Sequence, residues 1–207
     1  MTYDIIYADP PWDYENWNKK WHEEHAESRW AGRKYPLMSI EDLCAVPVNS
    51  IASKDSVLFL WTISTMIPNA LKLMEAWGFK YKTVGFVWVK QNKVSDSLFM
   101  GMGFWTRSNA EICLIGVKGK PLPRISRSVH QIILSKRREH SQKPLETRER
   151  IVELLGDRPR VELFAREKVD GWDAWGDEVD STPLFYTYED NPHSDFIGGP
   201  YIPRELK

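Results

Sequence analysis

Near the amino terminus stands Asp9-Pro10-Pro11-Trp12, four residues whose types can do chemistry together. They follow the apolar run Tyr3-Asp4-Ile5-Ile6-Tyr7-Ala8, a composition that suits a buried strand. Two prolines cannot continue a ladder, so the strand stops and delivers Asp9 at its carboxyl end. Open α/β sheets bind their ligands at that end of the strands. The prolines stiffen the loop and are expected to leave their carbonyls free. A stiff pair of acceptors beside an aromatic plane suits a planar base that carries an exocyclic amine. Asp9 can accept one amine hydrogen and the Pro10 carbonyl the other, with Trp12 stacked on the ring. Both contacts draw the nitrogen lone pair out of conjugation and make the amine a nucleophile. The bland alternative is a Pro-Pro turn whose aspartate caps a neighbour; placement directly after an apolar strand favours the chemical reading.

The elements that must position this turn are legible in order. Residues 13–34 are polar and charged, with Trp17, Trp21 and Trp30 on no regular period, and read as a long loop over the site. Its His22-Glu23-Glu24-His25 run lacks zinc-protease spacing and reads as a solvated face. Ser39 and Asp42 open a short helix that ends before Pro47. Ser56 to Thr62 reads as a second strand. A helix capped by Thr65 follows, with Ile67, Ala70, Leu71, Met74 and Trp77 inward and Gly78 as its stop. Thr83 to Lys90 reads as a third strand with Val84, Phe86, Trp88 and Lys90 on one face. Residues 91–107 form another loop, flexible around Gly101 and Gly103. A fourth strand runs from Ala110 to Val117. Lys118 to Lys143 is basic and suits phosphate contact. Pro144 opens a helix with Leu145, Ile151, Val152, Leu154 and Leu155 inward and a Glu146–Arg150 pair, stopped by Gly156. Arg160 to Ala165 is a further strand. The tail from residue 180 has no period and is expected to pack on a single domain spanning 1–207. Strand, helix, strand in this order implies a doubly wound α/β fold with a mostly parallel sheet.

Composition narrows the setting. The 207 residues are 42% hydrophobic and 28% charged, with a formal net charge of −1. That is a globular chain with one sizeable core and no global pull toward a polyanion. No apolar run approaches about eighteen residues, and no signal-peptide pattern opens the chain, so an intracellular, cytoplasmic protein is expected. Cys44 and Cys113 form no metal or redox spacing and read as reduced, buried thiols. No metal is expected. Ten tryptophans are unusual for this length, and aromatic planes are also what unstacked bases bind.

Several pieces together resemble one family, the MT-A (METTL-type) methyltransferases that move a methyl group from S-adenosylmethionine to the N6 amine of adenine. Its signature is the Asp9-Pro10-Pro11-Trp12 tetrapeptide. The match continues through Tyr35-Pro36-Leu37-Met38-Ser39, Leu58-Phe59-Leu60-Trp61, Trp88-Val89-Lys90, Glu111 ahead of Gly116-Val117-Lys118-Gly119, and His140-Ser141-Gln142-Lys143-Pro144. It closes with Glu162-Leu163-Phe164-Ala165-Arg166 and a Gly-Trp…Trp-Gly-Asp-Glu run ending at Glu178. Coverage is nearly the whole chain to that point.

The resemblance implies a Rossmann-like S-adenosylmethionine-dependent methyltransferase fold and a role for each matched residue. Asp9, Pro10, Pro11 and Trp12 form the catalytic turn. Trp12 and Tyr35 flank the base, and Trp61, Lys90, Trp105 and Glu111 complete the substrate side. Lys143 meets the methionine carboxylate of the cofactor, with Asp9 beside it. Glu162, Phe164, Arg166, Asp177 and Glu178 line its nucleoside half. The chain departs from the family in three places. Only eight residues precede Asp9, so a cofactor-adenine contact that larger members make from upstream must come from elsewhere. Asp177 and Glu178 stand where the family often has Asn or Gln. No glycine-rich loop follows the first strand, which fits a permuted order with the catalytic half first. The expected activity is adenine-N6 methylation of nucleic acid, DNA before RNA, by a homodimer or with a partner subunit. A non-catalytic nucleic-acid-binding subunit and a cytosine-N4 methyltransferase are the alternatives.

Overall fold

The structure, a computed structural model, describes residues 1–13, 37–101, 103, 105–138 and 142–185. The long segment with Trp17, Trp21, Trp30, the His22–His25 run and Tyr35 lies outside the described residues, as do His140, Ser141 and the tail from residue 186.

The elements run β1 (Tyr3–Ala8), α1 (Ile40–Ala45), α2 (Val48–Ile51), β2 (Ala52–Thr62), α3 (Ile67–Ala76), β3 (Lys80–Gln91), β4 (Ala110–Lys118), β5 (Ile132–Lys136), α4 (Glu146–Leu155), β6 (Arg160–Leu163) and β7 (Asp173–Trp175). The strands form one seven-stranded sheet in the order β5-β3-β4-β2-β1-β6-β7. Four pairings are parallel, β1 with β2, β1 with β6, β3 with β5 and β6 with β7. The mostly parallel sheet therefore holds, with one exception. β4 runs antiparallel to both of its neighbours, β2 and β3. The segment between β3 and β4 has no helix among its described residues, so the chain folds straight back, whereas a parallel return needs a crossover.

Alternation along β1 sends Ile6 and Ala8 to one face and Ile5 and Tyr7 to the other, and each face has its own core. On the first face Ile6, Leu58 and Leu60 pack against Leu43 of α1, Val48 of α2 and Leu73 of α3, while Trp77 donates to the Leu43 carbonyl at 2.9 Å. On the second, Tyr7, Phe59, Trp61 and Trp88 pack against Ile151 and Leu155 of α4. Helices cover both faces, as a doubly wound fold requires.

Several boundaries differ from the pattern-based expectation. Ser39 does cap α1, accepting from the Asp42 N–H. Thr65 does not cap α3: the chain enters through a 3₁₀ turn, Ser64–Met66, and Met66 stands at the cap with no side-chain bond. Pro68 in the first turn lacks the N–H a hydroxyl would satisfy. Leu71 faces solvent, and Leu73 takes the core position. In β3 a register shift between Val84 and Phe86 breaks the alternation. Val84 therefore packs with the first core, while Phe86 and Trp88 belong to the second. Leu145 precedes α4 and is exposed rather than inward. The Glu146–Arg150 pair forms at 2.5 Å. Cys113 is buried and Cys44 half-buried, both as thiols.

Candidate active site

β1 ends at Ala8, which lies opposite Leu60 of β2 and Leu163 of β6, so Asp9 emerges between two parallel strands at their carboxyl ends. The turn that follows is pinned by its own backbone. The Trp12 N–H donates to the Pro10 carbonyl at 2.9 Å, and the Met38 N–H donates to the Pro11 carbonyl at 2.9 Å. The proline carbonyls are thus not free, contrary to the expectation from sequence; each keeps one lone pair for a ligand. The Trp12 indole donates to the Trp61 carbonyl at 3.1 Å and is only 6% exposed. Trp61 is fully buried, its indole N–H donating to the Tyr7 hydroxyl at 2.7 Å. Both rings are buried and present little open face, with the Trp61 ring beneath the Lys143 ammonium.

Four charges alternate beside Trp61 and Trp88. Lys143 Nζ lies 2.5 Å from Asp9 Oδ2 and 3.2 Å from Glu111 Oε2, and 5.7 Å above the Trp61 ring. Glu111 on β4 also accepts from Lys90 on β3, whose ammonium lies 4.9 Å from the Trp88 ring. Burial lifts the Asp9 carboxyl above the ordinary aspartate value, with Lys143 pulling against it. Burial pushes Glu111 upward too, but Lys143 and Lys90 together outweigh it and hold that carboxyl below its usual value. For Lys143, burial works against the ammonium, and Asp9 and Glu111 overcome it. Asp9, Lys90, Glu111 and Lys143, four residues singled out in the sequence, are therefore one cluster.

The expected nucleoside side is built around β6 and β7. Glu162 is buried and gripped by both arms of Arg148, at 2.7 and 3.0 Å. Burial lifts its carboxyl, against the Arg148 fork. Arg148 also reaches Glu167 at 3.1 Å. Arg148 escaped the sequence reading, although it precedes Ile151 and Leu155 by three and seven residues and so shares their inward helical face. Phe164 follows β6 with φ of 60°, a left-handed backbone rare outside glycine and concentrated at functional sites. Its ring meets Trp175 edge-on, with centroids 5.4 Å apart. The backbone passes close here: a Cβ on Gly176 would stand 2.3 Å from the Ala165 carbonyl oxygen. Arg166 lies 3.6 Å from Glu178, and Asp177 is raised by partial burial and by Glu178. Trp105 is brought to none of these groups and stands 99% exposed on the β3–β4 connection.

The family model for MT-A70 matches residues 3–178. The chain is 37% identical over 188 residues to the type II methyltransferase M.MunI of Mycoplasma sp, covering 86% of this chain and 78% of that one. It is 28% identical to the N(6)-adenosine-methyltransferase MT-A70-like of Arabidopsis thaliana, covering 88% of this chain and 24% of the relative. For the N(6)-adenosine-methyltransferase catalytic subunit METTL3 of Homo sapiens the identity is 26%, with 87% and 29% covered. The chain thus spans most of the first relative and about a quarter of the other two.

Proposed function

The chain belongs to the MT-A70 family, and from that premise we infer that it is an S-adenosylmethionine-dependent methyltransferase acting on the exocyclic N6 amine of adenine in nucleic acid. The observation that carries this reading is Asp9, held at the end of β1 in a backbone-pinned turn with Lys143 at 2.5 Å. The pair supports the cofactor as well. It offers one buried anion and one buried cation, the complement of the ammonium and carboxylate of an α-amino acid. When bound there, S-adenosylmethionine supplies an electrophilic methyl group on sulfur.

The chain's own residues do the rest. Asp9 accepts one hydrogen of the amine, and the remaining lone pair of the Pro10 carbonyl accepts the other. The lone pair on nitrogen is thereby held out of the ring, and Asp9 is placed to take the proton that the methylated amine must lose. A raised carboxyl suits that task, because its basicity moves toward the working range. Glu111, anchored by Lys90, holds Lys143 from behind. Preorganised position and charge carry the rate, with no covalent intermediate.

DNA is preferred over RNA in this reading, since identity is higher to the type II methyltransferase than to the two relatives whose names specify adenosine. Such a substrate places the enzyme inside the cell; no helix of the described residues is long and apolar enough to cross a membrane. A homodimer or partner subunit belongs to the same proposal, supported by the edge strand β5 with Ile132 and Leu134 outward. The test is incubation with methyl-labelled S-adenosylmethionine and matched DNA and RNA oligonucleotides, followed by digestion to nucleosides. Label in N6-methyladenine is expected. Label in N4-methylcytosine, or cofactor binding with no transfer to any polymer, overturns the assignment.

A further inference from the structure

Among its described residues, the connection between β3 and β4 holds the Trp105 ring in solvent. It leaves β3 after Gln91, next to Lys90, and returns through Asn109, two positions before Glu111, so it stands on the strand ends that carry the proposed catalytic charge cluster. Its root is tied down: the Lys90 N–H donates to Asn109 at 2.8 Å, the Phe99 N–H to Lys90 at 2.8 Å and the Arg137 N–H to Gln91 at 3.2 Å. The Arg137 guanidinium lies over the Phe99 ring at 3.5 Å.

Beyond the root the two arms close tightly. The Gly101 N–H donates to the Ser108 carbonyl at 3.0 Å. A Cβ on Gly101 would stand 2.3 Å from that carbonyl oxygen, and one on Gly103 would stand 2.1 Å from the Thr106 oxygen. The Gly-x-Gly expected to give flexibility therefore allows two backbone arms to touch. At the tip of that turn Trp105 is 99% exposed, and Met100 on the same arms is 73% exposed. Single exposed apolar side chains are ordinary, but large ones gathered on a braced projection beside a catalytic centre call for an occupant. Arg107, two residues after Trp105, is exposed as well and puts a cation on the same connection for a phosphate backbone.

We propose that Trp105 is a wedge that enters a nucleic-acid duplex and fills the stack left when the target adenine turns out toward Asp9. This rests on the functional reading above and adds the device by which a duplex substrate is opened. A base inside a helix cannot reach Asp9, and extruding it costs unstacking and unpairing. An apolar or aromatic wedge between base steps offsets that cost. The bracing matters, because a ring on a slack loop would lose in ordering what it gained in stacking.

Trp105 removes no core contact when truncated, so Trp105→Ala and Trp105→Phe are clean variants. The substrates for turnover are a duplex and a single strand of the same sequence with adenine at the target position. In a separate duplex 2-aminopurine, which has no N6 amine, replaces that adenine and reports base extrusion by fluorescence alone. Trp105→Ala should lower kcat/KM on the duplex by about tenfold, with little change on the single strand, as expected when one stacking partner is removed. It should also diminish the rise in 2-aminopurine fluorescence on duplex binding, and Trp105→Phe should recover most of both. Undiminished duplex activity, or equal losses on both substrates, overturns the wedge. So does a change of oligomeric state in Trp105→Ala by sedimentation, which would assign the ring to a protein interface. Wild-type transfer to the single strand keeps the methyltransferase reading intact whichever way the wedge falls.

Discussion

Lys143 sits between Asp9 and Glu111, 2.5 Å from one and 3.2 Å from the other, so a single ammonium serves both carboxylates of the site. The two acids nevertheless move in opposite directions. Glu111 has Lys90 as a second direct partner and is held below its ordinary value, while burial leaves Asp9 above its own. Asp9 is therefore the carboxylate able to take a proton, and Glu111 the fixed negative charge that keeps Lys143 in place.

Replacing Asp9 tests the acceptor role. Asp9→Ala should lower kcat by about a hundredfold or more, the usual loss for one preorganised polar contact. Asp9→Asn keeps an acceptor oxygen and should retain more activity than Asp9→Ala. Equal residual rates in the two variants would mean that charge, and not hydrogen-bond acceptance, is what the site requires.

The pH profile follows from the direction of the Asp9 shift. In the proposed mechanism ionised Asp9 is the working form, so kcat/KM should fall as pH drops through a value above the ordinary aspartate value of 3.8. Lys143 opposes that shift, and Lys143→Met should carry the acid limb to still higher pH when measured at saturating cofactor. An acid limb at the same pH in both proteins would separate Asp9 from the rate. Glu111 has the opposite sign. Its contribution to stability is complete above 4.5 and is lost as pH falls through its lower folded-state value.

Lys143→Met should also weaken S-adenosylmethionine by roughly 1.5–3 kcal/mol, the usual worth of a hydrogen bond to a charged group. Titration calorimetry reads this directly. S-adenosylhomocysteine keeps the amino-acid end and should lose as much, while a ligand lacking that end should lose nothing. Equal affinities for wild type and variant would move the amino-acid end of the cofactor elsewhere.

Strands β1 to β4 and β6, helices α1, α3 and α4, and the Asp9 turn were legible because apolar periodicity and proline are local signals. The charge cluster was legible only as scattered matches, since Asp9 and Lys143 are 134 residues apart. β5 and β7 were not legible at all. β5 lies inside a basic stretch whose charges mask Ile132, Ile133 and Leu134, and β7 has only three residues. Arg148 was hidden by its charge, which suggests a solvated face until a partner, Glu162, is known to be buried opposite.

That buried pair carries a stability prediction. Arg148→Met leaves Glu162 in the core with neither fork bond, and removing one partner of a buried ion pair costs about 3–5 kcal/mol. Combining it with Glu162→Gln removes the stranded charge and should recover part of the loss. Denaturant midpoints for the two singles and the double read the coupling. Additive losses would show that the pair is not energetically joined.

The basic stretch ending at Lys143 makes the last prediction, and the structure divides what its sequence presents as one patch. Lys136 is 48% exposed and pairs with exposed Asp96 at 3.2 Å, a weak contact that a phosphate can displace. Arg137 braces Phe99. Arg138 lies 3.6 Å from Glu167, which touches Arg148, which grips Glu162. By sequence alone, replacing Lys136, Arg137 and Arg138 together with alanine is expected to spare the cofactor site; this chain of side chains leads there instead. Removing one cation from a phosphate should flatten the plot of log affinity against log salt by about one unit. Lys136→Ala alone should therefore flatten the slope and leave cofactor affinity unchanged, whereas Arg138→Ala should weaken cofactor binding as well. Nucleic-acid affinity across a salt series and cofactor titration, run on each single variant, separate the two effects. A Lys136→Ala plot superimposable on wild type would take Lys136 out of the phosphate path, and unchanged cofactor affinity in Arg138→Ala would break the proposed relay through Glu167.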